Sequence, residues 1–177
     1  RQMCIRDSNG DDGDDLAYGN LGNDTLSGGN GDDRMFAGAD NDWVSGGIGN
    51  DLLYGEQGDD KMFGGAGRDF LSGGEDDDEL YGDAGNDRLD AGSSADYLIG
   101  GAGNDHMRGG EGDDKFLFAS GSGRDVIADF STTNDQIGIN ASGVDDFNDL
   151  RITQNANGSA VVSWQDGGTS ASVTLQG

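Results

Sequence analysis

The chain has 177 residues, which suits one domain, and it contains 35 glycines, no proline, and 35 acidic residues against 10 basic ones. The formal charge of −25 excludes nucleic acid and anionic membrane surfaces as natural partners, because both are polyanions, and it favours cations. Only 32% of the residues are hydrophobic, and no apolar run approaches the roughly 20 residues of a membrane span, so composition alone would also fit a disordered polyanion.

The N-terminal segment differs from everything that follows it. Its first eight residues read RQMCIRDS. This peptide resembles the translation of a transposase-based sequencing adapter read in frame. We therefore expect residues 1–9 to be a non-native leader on a fragment of a longer protein. Cys4, the single cysteine, lies in this leader, and one cysteine can form neither an internal disulfide nor a zinc cluster.

From Gly10 the sequence repeats every nine residues, and twelve nonamers run without a gap to Leu117. Place one is glycine in ten nonamers, place four is glycine in nine, and place five is asparagine or aspartate in ten. Place six is aspartate in all twelve: Asp15, Asp24, Asp33, Asp42, Asp51, Asp60, Asp69, Asp78, Asp87, Asp96, Asp105 and Asp114. Such regularity indicates a stack of similar structural units, not a disordered chain.

Places seven to nine alternate in polarity in several nonamers, as Arg88-Leu89-Asp90 shows. This period of two predicts a short strand whose eighth residue faces inward while its seventh and ninth residues face outward. The eighth residue is apolar in every nonamer, and the seventh is mostly polar. A strand of three residues cannot stand alone, so its partners must be the equivalent strands of neighbouring repeats.

Places one to six are predicted to form a turn. Glycine permits positive φ and close approach of neighbouring backbones, and asparagine or aspartate at place five tolerates left-handed geometry. Stacked turns would superpose aspartate on aspartate at about 4.8 Å, and such a column repels itself without a counter-charge. A cation with six to eight oxygen ligands fits between two such turns, and calcium suits mixed carbonyl and carboxylate oxygens better than magnesium.

The repeat resembles the RTX calcium-binding nonapeptide, G-G-x-G-x-D-x-U-x, which residues 28–33 and 100–105 match in full. The resemblance covers about 108 of the 177 residues. It implies an all-β fold, a right-handed parallel β-roll over residues 10–117, in which two nonamers make one coil and ions lie between successive turns on each side. Twelve turns would then hold up to about ten calcium ions, which would reduce the charge of −25 to roughly −5.

The resemblance also implies which groups bind the metal. The sixth-place aspartates would supply carboxylates, and Asp125 in the related stretch Gly121-Ser122-Gly123-Arg124-Asp125 would close one more gap. The turn glycines would supply the remaining ligands: Gly29, Gly31, Gly47, Gly49, Gly65, Gly67, Gly101, Gly103, Gly110 and Gly112.

Several nonamers depart from the pattern. Asp40 and Asp76 replace the fourth-place glycine, which aspartate tolerates at some cost. Residues 91–96 lose three of the preferred residues, so we expect weak or empty gaps beside them. Ala17 in the eighth-place column makes the first nonamer a candidate for distortion or fraying.

After Leu117 the repeat stops, and residues 118–177 resemble the segment that follows the repeats in secreted RTX proteins. We expect this segment to be truncated here. Strands are predicted at 150–154, 160–164 and 172–175, with Asn157-Gly158 as a hairpin turn between the first two. An open roll needs a cap over its apolar end. The predicted cap residues are Val126, Ile127, Phe130, Ile137, Ile139, Phe147 and Leu150.

No catalytic constellation is visible, so we expect any catalytic domain to lie in upstream sequence. His106 is the only histidine and occupies an outward place, and there is neither a Ser-His-Asp arrangement nor an HExxH motif. Carboxylates at repeat spacing point to metal ligation instead of a glycosidase pair, and no loop has the EF-hand spacing. Trp43 and Trp164 are interpreted as surface and cap packing in preference to sugar platforms.

The family resemblance implies a module that folds on calcium binding after bacterial type I export, and that stabilises or caps a larger secreted, extracellular protein. The type I secretion machinery would be a partner. Two alternatives stay open: a structural repeat of an adhesin or surface-layer protein, or a polysaccharide-binding accessory module of a secreted enzyme. A basic stripe would favour the latter, but Arg34, Lys61, Arg88 and Lys115 are spaced by 27 residues and should alternate between sides.

Overall fold

The computed structural model describes residues 2–4, 7–141, 144, 150–166 and 168–176. Phe147, one of the predicted cap residues, lies outside these ranges. Throughout the described ranges the chain forms strands and turns, with no helix that could cross a membrane.

Nineteen β-strands run through the described residues. In chain order they are β1 (Gln2–Cys4), β2 (Asp7–Asn9), β3 (Leu16–Leu21), β4 (Thr25–Asn30), β5 (Arg34–Ala39), β6 (Trp43–Ile48), β7 (Leu52–Gln57), β8 (Lys61–Gly67), β9 (Phe70–Glu75), β10 (Glu79–Gly85), β11 (Arg88–Ser93), β12 (Tyr97–Ile99), β13 (His106–Glu111), β14 (Lys115–Ala119), β15 (Arg124–Ile127), β16 (Gln136–Asn140), β17 (Arg151–Gln154), β18 (Ala160–Asp166) and β19 (Thr169–Leu175).

These strands form two sheets. Sheet A has the order β1-β3-β5-β7-β9-β11-β13-β15-β19-β18-β17, and sheet B has the order β16-β14-β12-β10-β8-β6-β4-β2. Up to β16 consecutive strands alternate between the sheets, so the chain winds around a shared interior. The fold is a parallel β-roll, as predicted.

Within the repeats the register is constant at 18 residues. Leu26 lies opposite Val44, and Val44 lies opposite Met62, all in parallel strands. Two nonamers therefore make one coil, which confirms the predicted period of the roll. At the N-terminal end β2 pairs with β4 at the same offset, whereas β1 pairs with β3 at an offset of 14 residues, as Gln2 opposite Leu16 shows. The assignment of residues 1–9 to a leader stays a prediction.

Most strands of the roll are about twice as long as predicted. β4 contains places seven to nine of one nonamer and places one to three of the next. Gly29 and Asn30, at places two and three, lie opposite Gly47 and Ile48 in the ladder. The predicted three-residue strand is therefore wrong: these residues still pair with their equivalents one coil away, so only places four to six form the turn.

The eighth-place side chains fill the interior between the sheets. Nine of them have no exposed surface: Leu26, Val44, Leu53, Met62, Leu71, Leu80, Leu89, Leu98 and Met107. The residues on either side of each are exposed or half-buried, as predicted. Ala17 is also buried, and β3 pairs with β5 along its length, so the expected distortion of the first nonamer does not extend to its strand.

The C-terminal region continues both sheets and closes the interior. β19 pairs in parallel with β15, and β17, β18 and β19 form an antiparallel meander, which confirms the three predicted strands and the hairpin. Trp164 is buried and packs against Phe118, with ring centroids 6.0 Å apart. Trp164 therefore serves as cap packing, as interpreted from the sequence.

Most of the predicted cap residues join the apolar core. Ile127 is fully buried, and four others pack against the core while partly buried: Phe130, Ile137, Ile139 and Leu150. Val126 is a correction to the predicted set. It lies in register with the outward-facing His106, because the strand alternation that buries Ile127 turns its neighbour towards solvent.

The first testable prediction concerns this narrow interior. Replacing Leu71 by alanine should cost about 2–5 kcal/mol of unfolding free energy in the calcium-loaded protein, because the cavity lies between Leu53 and Leu89 with little to collapse into it. Urea unfolding in excess calcium measures the loss. Leu21→Ala is the matched control, since Leu21 is 77% exposed and its truncation should change stability by no more than about 0.5 kcal/mol. Equal losses in both variants would contradict the assigned core.

Candidate calcium sites

The turns of the roll stack into two rows, one along each side. We call the row that leads into the strands of sheet A the first edge, and the row that leads into sheet B the second edge. The first edge carries Asp15, Asp33, Asp51, Asp69, Asp87, Asp105 and Asp125. The second edge carries Asp24, Asp42, Asp60, Asp78, Asp96, Asp114 and Asp135.

Hydrogen bonds link the aspartates of each edge from coil to coil. The Asp33 amide donates to Asp51 Oδ1 at 2.8 Å, and the Asp51 amide donates to Asp69 Oδ1 at 2.8 Å. The second edge repeats the pattern, for example from the Asp60 amide to Asp78 Oδ1 at 2.9 Å. In these pairs the accepting carboxylate is held through Oδ1, and its Oδ2 makes no hydrogen bond, as at Asp51, Asp69 and Asp78.

Both ladders continue past the last nonamer. The Asp105 amide donates to Asp125 Oδ1 at 2.9 Å across 20 residues, which places Asp125 where the sequence predicted a further turn. The Asp114 amide donates to Asp135 Oδ1 at 3.2 Å across 21 residues. Sequence reasoning missed Asp135, although Asn134-Asp135-Gln136-Ile137 reproduces places five to eight of the repeat.

The second carboxylate oxygens are buried without a partner. Among the described residues twelve aspartates have an Oδ2 atom that is inaccessible and makes no hydrogen bond: Asp24, Asp33, Asp42, Asp51, Asp60, Asp69, Asp78, Asp87, Asp96, Asp105, Asp114 and Asp125. A buried, unpaired carboxylate is costly, so each row needs protons or cations to neutralise it.

Burial makes these groups reluctant to ionise. It raises the pKa of Asp51 to about 7 and the pKa of Asp78 to about 8, with smaller contributions from the neighbouring aspartates of the same row. Burial likewise raises the pKa of Asp125 to about 8. A hydrogen bond from the preceding aspartate's amide opposes each shift without cancelling it.

The first-place glycines leave open a small space lined by oxygen. A Cβ atom placed on Gly64 would lie 2.6 Å from Asp69 Oδ2 and 2.8 Å from the carbonyl oxygen of Gly82 in the next coil. A carboxylate oxygen and a carbonyl oxygen therefore point into the same space. No cluster of three or more histidine, cysteine, aspartate or glutamate side chains is present in the described ranges, so a metal here would also need carbonyl ligands.

The glycines predicted as ligands lie in the gaps between coils. A Cβ on Gly47 would overlap the carbonyl oxygen of Gly29, and one on Gly49 would overlap that of Gly31, so both oxygens face the next coil. Hard oxygen donors of mixed carboxylate and carbonyl type fit calcium. The sixth-place aspartates and these glycine carbonyls would hold the ions, and their ligand role stays a prediction.

Backbone conformation corrects one expectation about the turn. Positive φ occurs at places two and four, as in Gly65 at 103° and Gly67 at 148°, whereas no described fifth-place residue adopts it. The fifth-place side chain instead accepts a hydrogen bond from the next coil: the Asn50 amide donates to Asp32 Oδ1 at 2.8 Å. Asparagine and aspartate are therefore favoured at place five as hydrogen-bond acceptors, not for left-handed geometry.

The nonamer at residues 91–99 keeps its place in the second edge. The Asp78 amide donates to Asp96 Oδ1 at 2.8 Å, and the Asp96 amide donates to Asp114 Oδ1 at 3.0 Å. The loss of three preferred residues therefore leaves the register intact. Weak ion binding at this position stays a prediction.

The remaining residues singled out from the sequence lie on the outer faces. His106 is exposed, and Trp43 is 40% exposed, which confirms the surface interpretation of both. Arg34 and Arg88 lie on sheet A, and Lys61 and Lys115 lie on sheet B, as their spacing predicted.

Two of the solved structures that match this chain are an extracellular lipase and a subunit of an epimerase. The extracellular lipase LipA from Serratia marcescens matches with a TM-score of 0.51 and 23% identity over 95% of this chain. This chain spans 37% of that lipase chain. A subunit of the mannuronan C5-epimerase from Azotobacter vinelandii matches with a TM-score of 0.35 and 29% identity over 73% of each chain.

No curated protein sequence matches the chain. The family model for the RTX calcium-binding nonapeptide repeat (4 copies) matches residues 9–44, 36–71, 63–98, 81–116 and 90–127. These matches together cover residues 9–127, which is more than half of the chain and includes all twelve nonamers. With stacked turns, a regular aspartate ladder and a matching family model, the chain belongs to the RTX calcium-binding nonapeptide repeat family.

Proposed function

We propose that this calcium-binding β-roll is a folding switch within a larger secreted bacterial protein. The chain leaves the cell unfolded through a type I secretion system, folds when it meets extracellular calcium, and then stabilises and caps the protein that carries it. The observation that carries this proposal is the two rows of buried carboxylate oxygens without partners.

Electrostatics supplies the switch. Without calcium each folded edge holds carboxylates stacked at strand spacing, and both their desolvation and their mutual repulsion oppose folding. With calcium, each ion sits between two turns and draws ligands from successive coils, so an ion binds the folded state far better than the open chain. Binding free energy then becomes folding free energy.

The proposed location follows from the same chemistry. Cytosolic calcium is too scarce to fill sites of the affinity typical of extracellular modules, so the chain would stay open before export. The lipase with the similar fold is an extracellular protein, which supports a secreted location. Any catalytic activity would belong to another part of the larger protein.

The outer aromatic side chains argue against a sugar-binding platform. Tyr18, Phe36 and Tyr54 stack on one another on sheet A, with centroids 5.1 and 5.0 Å apart and planes within 11°. Phe63 and Tyr81 stack in the same way on sheet B, 4.8 Å apart. Their faces cover one another, so a sugar ring would meet mainly their edges. The stacks are better explained as cross-strand contacts that stabilise the roll.

A calcium titration tests the switch directly. The calcium-free chain at pH 7.5 should show a disordered far-ultraviolet circular dichroism spectrum, and added calcium should produce a β spectrum cooperatively, with a midpoint of about 0.1–1 mM. Magnesium at the same concentrations serves as the control and should give little β structure, because it demands octahedral geometry. A fully folded calcium-free chain, or no gain in β structure with calcium, would overturn the proposal.

Low pH should partly substitute for calcium in stabilising the folded chain. The buried aspartates have raised pKa values in the folded chain, for example about 7 for Asp51, against a usual value of 3.8 when unfolded. Between these values the folded state binds more protons than the unfolded state, so the calcium-free fold is most stable at low pH and loses stability as pH rises. We expect more β structure at pH 5 than at pH 8 in chelator at constant ionic strength. A β signal that rises with pH would contradict this sign.

A single substitution within a row should weaken calcium binding. Asp69→Asn keeps an oxygen that can accept the Asp51 amide but removes the charge. The calcium midpoint should therefore rise by about tenfold, as measured by circular dichroism and by equilibrium dialysis. Asp90→Asn is the matched control, because Asp90 is a ninth-place residue on the outer face of sheet A. If the two variants bind calcium equally, the sixth-place assignment is wrong.

A further inference from the structure

The two edges of the roll differ in sequence. Every first-edge turn within the twelve nonamers has glycine at both place one and place four. The second edge collects all the exceptions at these two places. They are Ala37, Asp40, Asp76, Ala91 and Ser94.

The turn backbones differ accordingly. Most fourth-place glycines of the first edge have φ near 140°, as in Gly49 at 144° and Gly103 at 145°, a conformation essentially restricted to glycine. On the second edge Asp40 and Ser94 have φ of 78° and 84°, in the left-handed region that strains most residues other than glycine. Gly112 of the second edge, at 143°, shares the first-edge conformation, and Gly13 of the first edge, at 106°, does not. The peptide groups around place four are thus oriented differently at the two edges in the turns between Gly31 and Gly103.

Hydrogen bonds between successive turns follow the same division. On the first edge the fourth-place amide donates to the third-place carbonyl of the next coil, at 2.7 Å from Gly31 to Ile48 and 2.8 Å from Gly85 to Ala102. The corresponding bonds of the second edge are longer, at 3.1 Å from Gly22 to Ala39 and 3.3 Å from Gly58 to Glu75.

Two alanine methyl groups narrow the oxygen-lined space on the second edge alone. A Cβ placed on the first-place glycine of that edge would approach the aspartate of the same nonamer, for example 2.8 Å between Gly19 and Asp24 Oδ2. Ala37 and Ala91 carry a methyl group at the equivalent place of the nonamers that contain Asp42 and Asp96, and both alanines are fully buried. A cation there has less room than at a glycine.

The C-terminal ends of the two rows differ as well. Asp125, at the end of the first edge, keeps a buried Oδ2 atom without a partner. Asp135, at the end of the second edge, has both oxygens occupied, since Oδ1 accepts the Asp114 amide and Oδ2 accepts the Ser131 amide at 2.7 Å. The first edge therefore offers one more free carboxylate oxygen to an ion at this end.

We propose that the first edge binds calcium tightly and the second edge binds it weakly, so that the roll fills and folds in two phases. This inference rests on the proposed calcium function. The regular first edge orders at low calcium and holds the coils in register. The second edge fills at a calcium concentration about tenfold or more higher, because its strained turns and crowded pockets reduce affinity. The rigidity of the protein would then increase with calcium concentration over a wide range.

Tryptophan reporters on each edge test the order of binding. Trp43 directly follows Asp42 on the second edge, and Phe70 occupies the equivalent place after Asp69 on the first edge. The parent chain reports the second edge, and the double variant Trp43→Phe/Phe70→Trp reports the first. Trp164 in the cap is present in both, so a Trp164→Phe substitution in each removes its own folding signal. The first-edge reporter should change at a calcium midpoint about tenfold lower. Equilibrium dialysis should resolve two classes of bound calcium.

A variant that restores the first-place glycine distinguishes an effect of pocket size on calcium binding from an effect on general stability. Ala37→Gly removes the methyl group beside Asp42 and should move the Trp43 midpoint several-fold towards the first-edge value. Ala39→Gly, two residues along the same strand at place three, is the matched control and should not. The repair should leave the first-edge midpoint unchanged when it is placed in the first-edge reporter.

The experiments distinguish failure of the two-phase inference from failure of the calcium-triggered switch. Coincident midpoints for the two reporters with a single class of calcium sites would overturn the inference while leaving the calcium-triggered switch intact. An Ala37→Gly variant that leaves the Trp43 midpoint in place, or that shifts both reporters equally, would also overturn it. Failure of the switch itself looks different, since no calcium would bind or the chain would be folded without it.

Discussion

The carboxylate row is the interaction on which the rest of the structure depends. From Asp33 to Asp114 each sixth-place aspartate binds the coil before it through Oδ1 and leaves Oδ2 buried and uncompensated, as at Asp51 and Asp69. The apolar interior is only one side chain wide per nonamer, so it cannot offset this cost by packing alone. Ions between the turns would remove this cost and link successive coils to one another. The high glycine content, the thin apolar interior and the negative charge are therefore all consistent with a fold that is held together by bound ions.

Much of this was predictable, because a nonamer repeats both its chemistry and its geometry. The fixed sixth-place aspartate and the apolar eighth place predicted stacked repeats of strand and turn. The resemblance to the RTX nonapeptide implied a parallel roll with two nonamers per coil, and the 18-residue register confirms it. The hairpin at Asn157-Gly158 and the three C-terminal strands were predictable for another reason: alternating polarity and turn residues are local signals.

What could not be predicted depends on contacts between coils. Strand length was underestimated because glycine, which is common at places one and two, is a poor strand former alone and pairs only when an equivalent backbone lies alongside, as Gly29 does with Gly47. The fifth-place side chain accepts a hydrogen bond, as Asp32 does from the backbone amide of Asn50. This contact can be recognised only when turns 18 residues apart are placed side by side. Asp135 escaped notice because three extra residues break the spacing although the ladder itself continues.

The alternation of turns between two edges also limits how such a chain can change length. Residues 18 apart share an edge, whereas residues nine apart lie on opposite edges. Gain or loss of a single nonamer would transfer every later turn to the other side and bring the crowded turn at Ala91 into the row that now contains only glycine at places one and four. Gain or loss of two nonamers would keep every turn in its own row. Growth of this roll by duplication is therefore constrained to whole coils of two nonamers each.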